Sequence, residues 1–232
     1  MSSAETRVSS LETVLSKERR PMFGRASSIM LTISRLLLRI GLRPNHVSLL
    51  SILFSLFSSI ALLSLDHGTS VDLKNVTLLL TVILCILCRG LCNLLDGIMA
   101  VEGGFRTGTG AFFNDFPDRI SDSLILVSCG FAAGVGAIGI SFGWACALVA
   151  AFTAYIRIFG AASGSSQDYG GPMAKPHRML IVIIACAAAV FENPMFATFN
   201  SIFIALVIIL MGGTYTCMLR ASRLLNYLKH AE

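Results

Sequence analysis

The sequence predicts an all-α integral membrane protein of six transmembrane helices, preceded by an amphipathic helix lying in the membrane interface. Three observations carry that prediction. Hydrophobic residues make up 55% of the 232 positions and charged residues 13%, against about 25% charged in a typical soluble domain. Most helix faces must therefore contact something apolar, and lipid is the solvent that fits. Six apolar runs follow one another, at roughly 46–65, 76–100, 109–134, 138–162, 179–191 and 197–218. Before them, "SSIMLTISRLLLRIGLRP" sets Arg35, Arg39 and Arg43 four apart among leucines and isoleucines.

Residues 1–25 are polar and read as a mobile cytoplasmic tail, without the apolar core of a secretory signal. Residues 26–43 form the amphipathic segment, its arginines on one face toward anionic headgroups. The competing reading is a first transmembrane helix with snorkelling arginines. Pro44-Asn45 ends that segment and restarts a helix, since Pro fits a first turn and Asn or Ser can cap it. Residues 44–220 then hold the six spans as one membrane domain, and 221–232 form a basic cytoplasmic tail. Most spans reach the ~20 residues needed to cross ~30 Å of hydrocarbon. The fifth is short unless it runs toward Phe196.

Six spans put both termini on one side. The segment before residue 44, the 101–108 loop, "SSQDYGGPMAKPHR" and "LRASRLLNYLKH" hold nearly all loop Lys and Arg, while the opposite loops offer Lys74. The positive-inside rule makes the basic side cytoplasmic, in a membrane expected to be a bacterial inner membrane. This bias accounts for the net charge of +5. No aromatic–basic platform for nucleic acid accompanies it. The seven cysteines sit in or beside apolar runs, where they act as small hydrophobes, and Cys85-x-x-Cys88 lacks a second ligand pair. Trp144 and Tyr155 read as packing or interface residues, and Glu192 and Asn193 as caps of an outer loop.

Against this background, "CNLLDGIMAVEGGFRTGTGAFFNDFPDRISD" gathers oxygen ligands. Asn93 and Asp96 share a helix face near the end of the second span, with Arg89 one turn earlier. Asn114, Asp118 and Asp122 form a second stripe at the start of the third. The glycine-rich turn between them, with Gly103, Gly104, Gly108 and Gly110, lets the two helices bring the stripes face to face. Carboxylates and carboxamides at a membrane boundary mark function by default. An all-oxygen set suits Mg²⁺ or Mn²⁺, and such cations suit phosphate chemistry. The structural alternative is a polar cap or hydrogen-bonded helix contact.

Residues 93–122 resemble the signature of the CDP-alcohol phosphotransferases, Asp-x2-Asp-Gly-x2-Ala-Arg-x8-Gly-x3-Asp-x3-Asp. Asp96, Gly97, Ala100, Gly110 and Asp118 match; Asn93 and Asn114 stand at the first and third Asp, and Val101 at the Arg. "RPNHVSLLS" resembles the family's Pro-Asn-x-x-Thr/Ser entry to a span, which carries Asn45 and Ser48 into the comparison. A branch with Asn at both positions and a Ser-Asp after the last Asp matches Ser121-Asp122. The resemblance implies that a group moves from a CDP-alcohol such as CDP-diacylglycerol to an acceptor alcohol, releasing CMP in phospholipid synthesis. It implies Asn93, Asp96, Asn114 and Asp118 as metal ligands, Asp118 also as general base, and a nucleotide site at Asn45, Ser48, Asp96, Gly97, Ala100 and Gly110. It also implies the family's common homodimer.

Two Asp-to-Asn exchanges remove about two charges and weaken a two-metal arrangement. Either one metal is lost, or Asp115 and Asp122 restore charge nearby; the spacing favours Asp122 as the additional ligand. Arg106, on the same loop, is a candidate replacement for the Arg missing at 101. Arg157 lies inside the fourth span and needs an anionic partner. Together with Lys175 and Arg178 it reads as a site for the acceptor or its phosphate, leaning toward glycerol 3-phosphate. Two rivals stand beside this reading: a catalytically silent binding protein of the same fold, and a cation transporter using the polar stripes.

Overall fold

The computed structural model describes residues 28–67, 73–103, 108–192 and 200–231, without the side chains of 28, 108–111, 114 and 231. The N-terminal tail, Arg106 and Asn193 lie outside the described residues. Seven helices and no strand occur among the described residues: α1 Ser28–Arg39, α2 Pro44–Leu63, α3 Leu73–Glu102, α4 Gly108–Ala132, α5 Gly136–Ala162, α6 Lys175–Glu192 and α7 Asn200–Ala231. The last six correspond to the six apolar runs. Four of them, α2, α3, α5 and α7, are long and apolar enough to cross a membrane, and the chain is an integral membrane protein. The other two carry the charges: Asp115, Asp118, Arg119 and Asp122 in the first half of α4, Lys175 and Arg178 in the first turn of α6. These charges lower the mean hydropathy of α4 and α6, yet several of them face each other inside the bundle.

Local chemistry explains the ends. Arg43 is the extended residue before α2, Pro44 fills the first turn, and His46 Nδ1 accepts the Arg43 backbone N–H at 3.4 Å. The imidazole thus takes the capping role that the sequence assigned to Asn or Ser. Glu192, the last residue of α6, caps α7: its Oε2 accepts from the backbone N–H and the hydroxyl of Ser201, at 2.9 and 2.6 Å, in the first turn of α7. The domain boundary drawn at residue 220 falls inside α7. α7 runs on through "ASRLLNYLKHA", which holds neither Gly nor Pro, and its last turn carries Lys229 and His230 against the helix dipole. Its 32 residues span roughly 48 Å at 1.5 Å per residue, longer than the hydrocarbon core. The basic tail is therefore a helical extension.

α2 packs on α3 and α4, α4 on α5, α5 on α7, and α6 on α7 and α3. The apolar core fills the bundle from Leu62, Leu79 and Val82 to Ile125, Leu126, Ala150, Val182, Leu206 and Ile209. Small residues allow the closest approaches. A Cβ on Gly130 would lie 2.6 Å from the Gly139 carbonyl oxygen, so only hydrogen fits where α4 meets α5. On α2 the buried face is a serine stripe, Ser48, Ser51, Ser55, Ser58 and Ser59. Ser51 and Ser55 turn their hydroxyls back to the carbonyls of Ser48 and Ser51, hiding polarity from the interior. α1 lays Met30, Ile33, Leu37 and Leu38 over Cys92, Leu95 and Met99 of α3. Arg35 and Arg39 stay exposed, Arg35 3.3 Å from Glu102.

Candidate active site

The polar residues converge at one end of the bundle, where α2, α4 and α6 begin and α3, α5 and α7 approach their ends. Asp96 projects from α3 and is 4% exposed. Ser48 donates to its Oδ2 at 2.6 Å, so the Pro-Asn entry turn bears on the first retained aspartate. Its other oxygen, Oδ1, is buried and has no hydrogen-bond partner. A bare buried carboxylate oxygen is costly unless a cation sits on it. Asn93, Gly97 and Ala100, half-buried, lie on the same stretch of α3, and Asn45 is half-buried in the first turn of α2.

Asp118 comes from α4, immediately after Pro117. Proline has no N–H for the carbonyl four residues earlier, so the helix loosens one position before the acid. The Lys175 ammonium, at the start of α6, lies directly against Asp118 Oδ1, and Arg89 Nη2 is 3.6 Å from the same oxygen. One turn on, Asp122 is 1% exposed and spends both oxygens on guanidinium groups. Arg89 Nη2 is 2.5 Å from Oδ1 and Arg178 Nη2 2.8 Å from Oδ2.

This corrects two expectations. Asp122, expected as an additional metal ligand, has each of its oxygens on a guanidinium and serves as an internal counter-ion. Arg178, expected to meet an acceptor phosphate, is 2% exposed and turned inward; besides Asp122 it donates to the Met173 carbonyl at 3.0 Å and to Thr153 Oγ1 at 3.4 Å. The helical spacing was right, but periodicity gives a face and says nothing of what the facing helix presents. The side chain of Asn114 and the surroundings of Gly110 lie outside the described residues. Among the described residues no three His, Cys, Asp or Glu converge as a metal centre. Asp96 and Asp118 are close enough to feel each other's charge, and Asn93 lies one turn from Asp96 on α3. The bare Oδ1 of Asp96 fits this set to one hard divalent cation.

Beside this cluster lies a second centre. Arg157 finds its anionic partner in Asp115, Nη2 to Oδ1 at 2.7 Å, and donates from Nη1 to Gln167 Oε1 at 2.7 Å. Its guanidinium carbon also sits 5.2 Å from the Tyr169 ring centroid. Asp115 therefore serves Arg157 and restores no charge to the Asn positions. Arg157, Arg220 and Arg223 line a cavity of about 270 Å³ together with Ser165, Ser166, Gln167 and Asp168.

Arg220 was missed in the sequence, where it counted as one more cytoplasmic base. It is 6% exposed and donates to two backbone carbonyls, Thr153 at 2.7 Å and Gly170 at 2.9 Å. No carboxylate pairs with it among the described contacts. The loop it holds is shaped by Gly171, whose φ of +116° suits glycine and whose added Cβ would meet Thr216 at 2.5 Å. Thr153 joins the two centres: its hydroxyl meets Arg178 and its carbonyl meets Arg220.

No family model matches the chain. It is 27% identical over 208 residues to a phosphatidylinositol phosphate synthase of Mycobacterium marinum, with 85% of this chain and 80% of that protein covered. Among solved structures it resembles the phosphatidylinositol phosphate synthase of Mycobacterium tuberculosis with CDP-DAG bound, at 24% identity and a TM-score of 0.67, over 85% of this chain and 94% of that one. It also resembles the same protein in complex with manganese and citrate, at 24% identity and a TM-score of 0.68, over 84% and 88%. These relatives belong to the CDP-alcohol phosphotransferases, the family that residues 93–122 resemble, and the chain has their fold.

Proposed function

We propose that this protein is a metal-dependent CDP-alcohol phosphotransferase that moves a phosphatidyl group from CDP-diacylglycerol to a phosphorylated alcohol and releases CMP. The observation that carries this reading is the approach of Asp96 and Asp118, contributed by two helices, beside an arginine-lined cavity one helical turn away at Asp115–Arg157. The names of the relatives support it: one solved structure has CDP-DAG bound and another holds manganese.

Asp96 and Asp118, with the carbonyl oxygens of Asn93 and Asn114, are the residues that would hold Mg²⁺ or Mn²⁺. Bound there, the ion would supply charge neutralisation to a pyrophosphate. The remaining chemistry belongs to the chain. Gly97 and Ala100, with Gly110 by the family resemblance, would leave room for the cytidine nucleotide, with Asn45 and Ser48 as further nucleotide-site residues. The acceptor hydroxyl attacks the β-phosphorus; its oxygen–phosphorus bond forms as the bond to the CMP oxygen breaks, and its proton passes to Asp118. Holding the two substrates together supplies much of the rate.

The acceptor reading follows from the cavity. Arg157, Arg220 and Arg223 offer forked donors suited to a phosphate monoester. Ser165, Ser166, Gln167 and Asp168 offer the donors and acceptors that ring hydroxyls need. This favours a polyol phosphate such as inositol phosphate, in keeping with the phosphatidylinositol phosphate of the relatives' names, over the glycerol 3-phosphate expected from charge alone. Lys175 stands on Asp118 and takes no part in that cavity. All six long helices cross the membrane in this reading, α1 rests in the interface, and the site and both termini face the cytoplasm, the side rich in Lys and Arg.

The test is CMP release by the purified protein in detergent, with CDP-diacylglycerol and Mn²⁺, across inositol 1-phosphate, glycerol 3-phosphate and unphosphorylated alcohols. Acceptor-dependent CMP, reduced by about 10²–10⁴ in Asp118→Asn, is the expected outcome. CDP-lipid binding with no CMP from any acceptor would reassign the chain to a silent binding role.

A further inference from the structure

Six ionisable side chains meet at the carboxylate centre and their charges cancel, with Arg119 alongside, turned to the Asp115 and Ala150 carbonyls. Asp96, Asp118 and Asp122 face Arg89, Lys175 and Arg178, all of them buried except Lys175, which is nearly so. Asp122 takes up Arg89 and Arg178. Asp118 takes up Lys175. Asp96 Oδ1 has no hydrogen-bond partner and no cation on it, whereas Asp118 Oδ1 is met by the charges of Lys175 and Arg89. The two Asn positions have removed two negative charges, and neither Asp115 nor Asp122 returns one, because each is committed to arginine. In a poorly screened interior, a neutral cluster attracts one dication at the bare Oδ1 of Asp96 and repels the next.

We propose that the Lys175 ammonium is the built-in second cation of this centre. It stands on Asp118 Oδ1 where another divalent ion would otherwise bind, and the chain holds a single Mg²⁺ or Mn²⁺ on the Asp96 side. Lys175 is a positioning residue, acting through Asp118. The geometry suits the role: Lys175 opens α6, the sequence turns from the cavity loop into the helix at this point, and the contact with Asp118 ties α6 to α4 beside Arg89. An ammonium is a compact point charge on a flexible stem, able to follow the carboxylate as substrate enters, which a guanidinium fork is not. The inference rests on the reading of Asp96 and Asp118 as a cation site, and not on turnover.

The experiment is Mn²⁺ titration of the full chain in detergent without substrate, counting bound ions from the loss of the free Mn²⁺ electron paramagnetic resonance signal. One ion per chain is expected. In Lys175→Met, Asp118 is released, and either a second ion binds or the first binds at least about tenfold more tightly. Lys175→Arg keeps the charge and keeps the count at one. Two ions in the unaltered protein, or none, would overturn the proposal. So would an unchanged count and affinity in Lys175→Met that elutes as a folded monodisperse protein. Should that variant fail to fold, Asn93→Asp replaces it: with Lys175 present the single ion binds more tightly, and a second ion would again overturn the idea. Failure of CMP release with one ion bound would sink the transferase reading and leave this inference standing.

Discussion

The carboxylate centre and the arginine cavity are neighbours with opposite deficits. In the first, every acid except Asp96 already has a cation from the chain, Arg89, Arg178 or Lys175. In the second, three arginines share two carboxylates, Asp115 and Asp168, and Arg220 leans on backbone carbonyls alone. A buried guanidinium held by carbonyl dipoles retains much of its attraction for an anion, whereas a carboxylate between two guanidiniums has little left for a cation. The difference teaches which charges hold the bundle together and which wait for substrate. Charge in the first centre is mostly structural, with a small opening at Asp96. Charge in the second is mostly receptive.

The comparison breaks most visibly at Asp122. Asp122→Ala leaves Arg89 and Arg178 buried without their counter-ion, and removing one partner of a buried pair costs about 3–5 kcal/mol. The measurement is the thermal midpoint in detergent, followed by the helical circular dichroism signal. A large fall, or failure to accumulate folded protein, is expected. Asp115→Ala should fall much less, because its carboxylate is 31% exposed and water can take its place beside Arg157. Equal losses in the two variants would mean that the centres do not differ as described.

Arg220→Gln sharpens the other half. Hydrogen bonds to a charged group contribute about 1.5–3 kcal/mol, so losing the receptive guanidinium should raise KM for the acceptor roughly 10- to 100-fold. KM for CDP-diacylglycerol should stay within a factor of about three, since Arg220 lines the arginine cavity and not the Asp96 side. A matched rise in both would mean that Arg220 acts by holding the Gly170 loop, and the cavity would lose its claim on the acceptor.

How much of this was legible beforehand depends on which physical signal each residue left. The six long helices were written in hydropathy, and their bounds agree with the apolar runs to within a few residues except at the end of α7, which runs on to Ala231. A surface in apolar surroundings must be apolar along its whole length. Where polarity interrupted it, the reading lost its grip. α6 begins at Lys175, several residues before its apolar run, since the charged first turn faces carboxylates inside the bundle. Asn93, Asp96 and Asp118 stood out by spacing, and Arg157 by its depth in a span. The pairing of Asp122 with Arg89 and Arg178 did not, because it joins α3, α4 and α6 across 33 and 56 residues of chain. Residues on one helix announce a shared face; partners on different helices announce nothing until the bundle is assembled. Arg220 hid for the same reason, behind a charge bias that explained it too easily.

The smallest effect is expected at Arg223, and it tests whether the cavity's specificity lies deep or at its mouth. Arg223 is 53% exposed and pairs with Asp168 at 3.2 Å, while Asp168 also accepts the Gly170 N–H at 2.7 Å. An exposed pair of this kind is screened by water and salt and adds little to stability. Arg223→Gln should therefore leave the thermal midpoint almost unmoved. It should raise KM for the acceptor by less than about threefold at physiological salt, and by more at low ionic strength, where the Debye length reaches roughly 30 Å. A salt-independent loss matching that of Arg220→Gln would place the acceptor phosphate at the mouth, on Arg223, and leave the buried arginine as a strut for the Gly170 loop. A small, salt-sensitive loss keeps the phosphate inside, between Arg157 and Arg220.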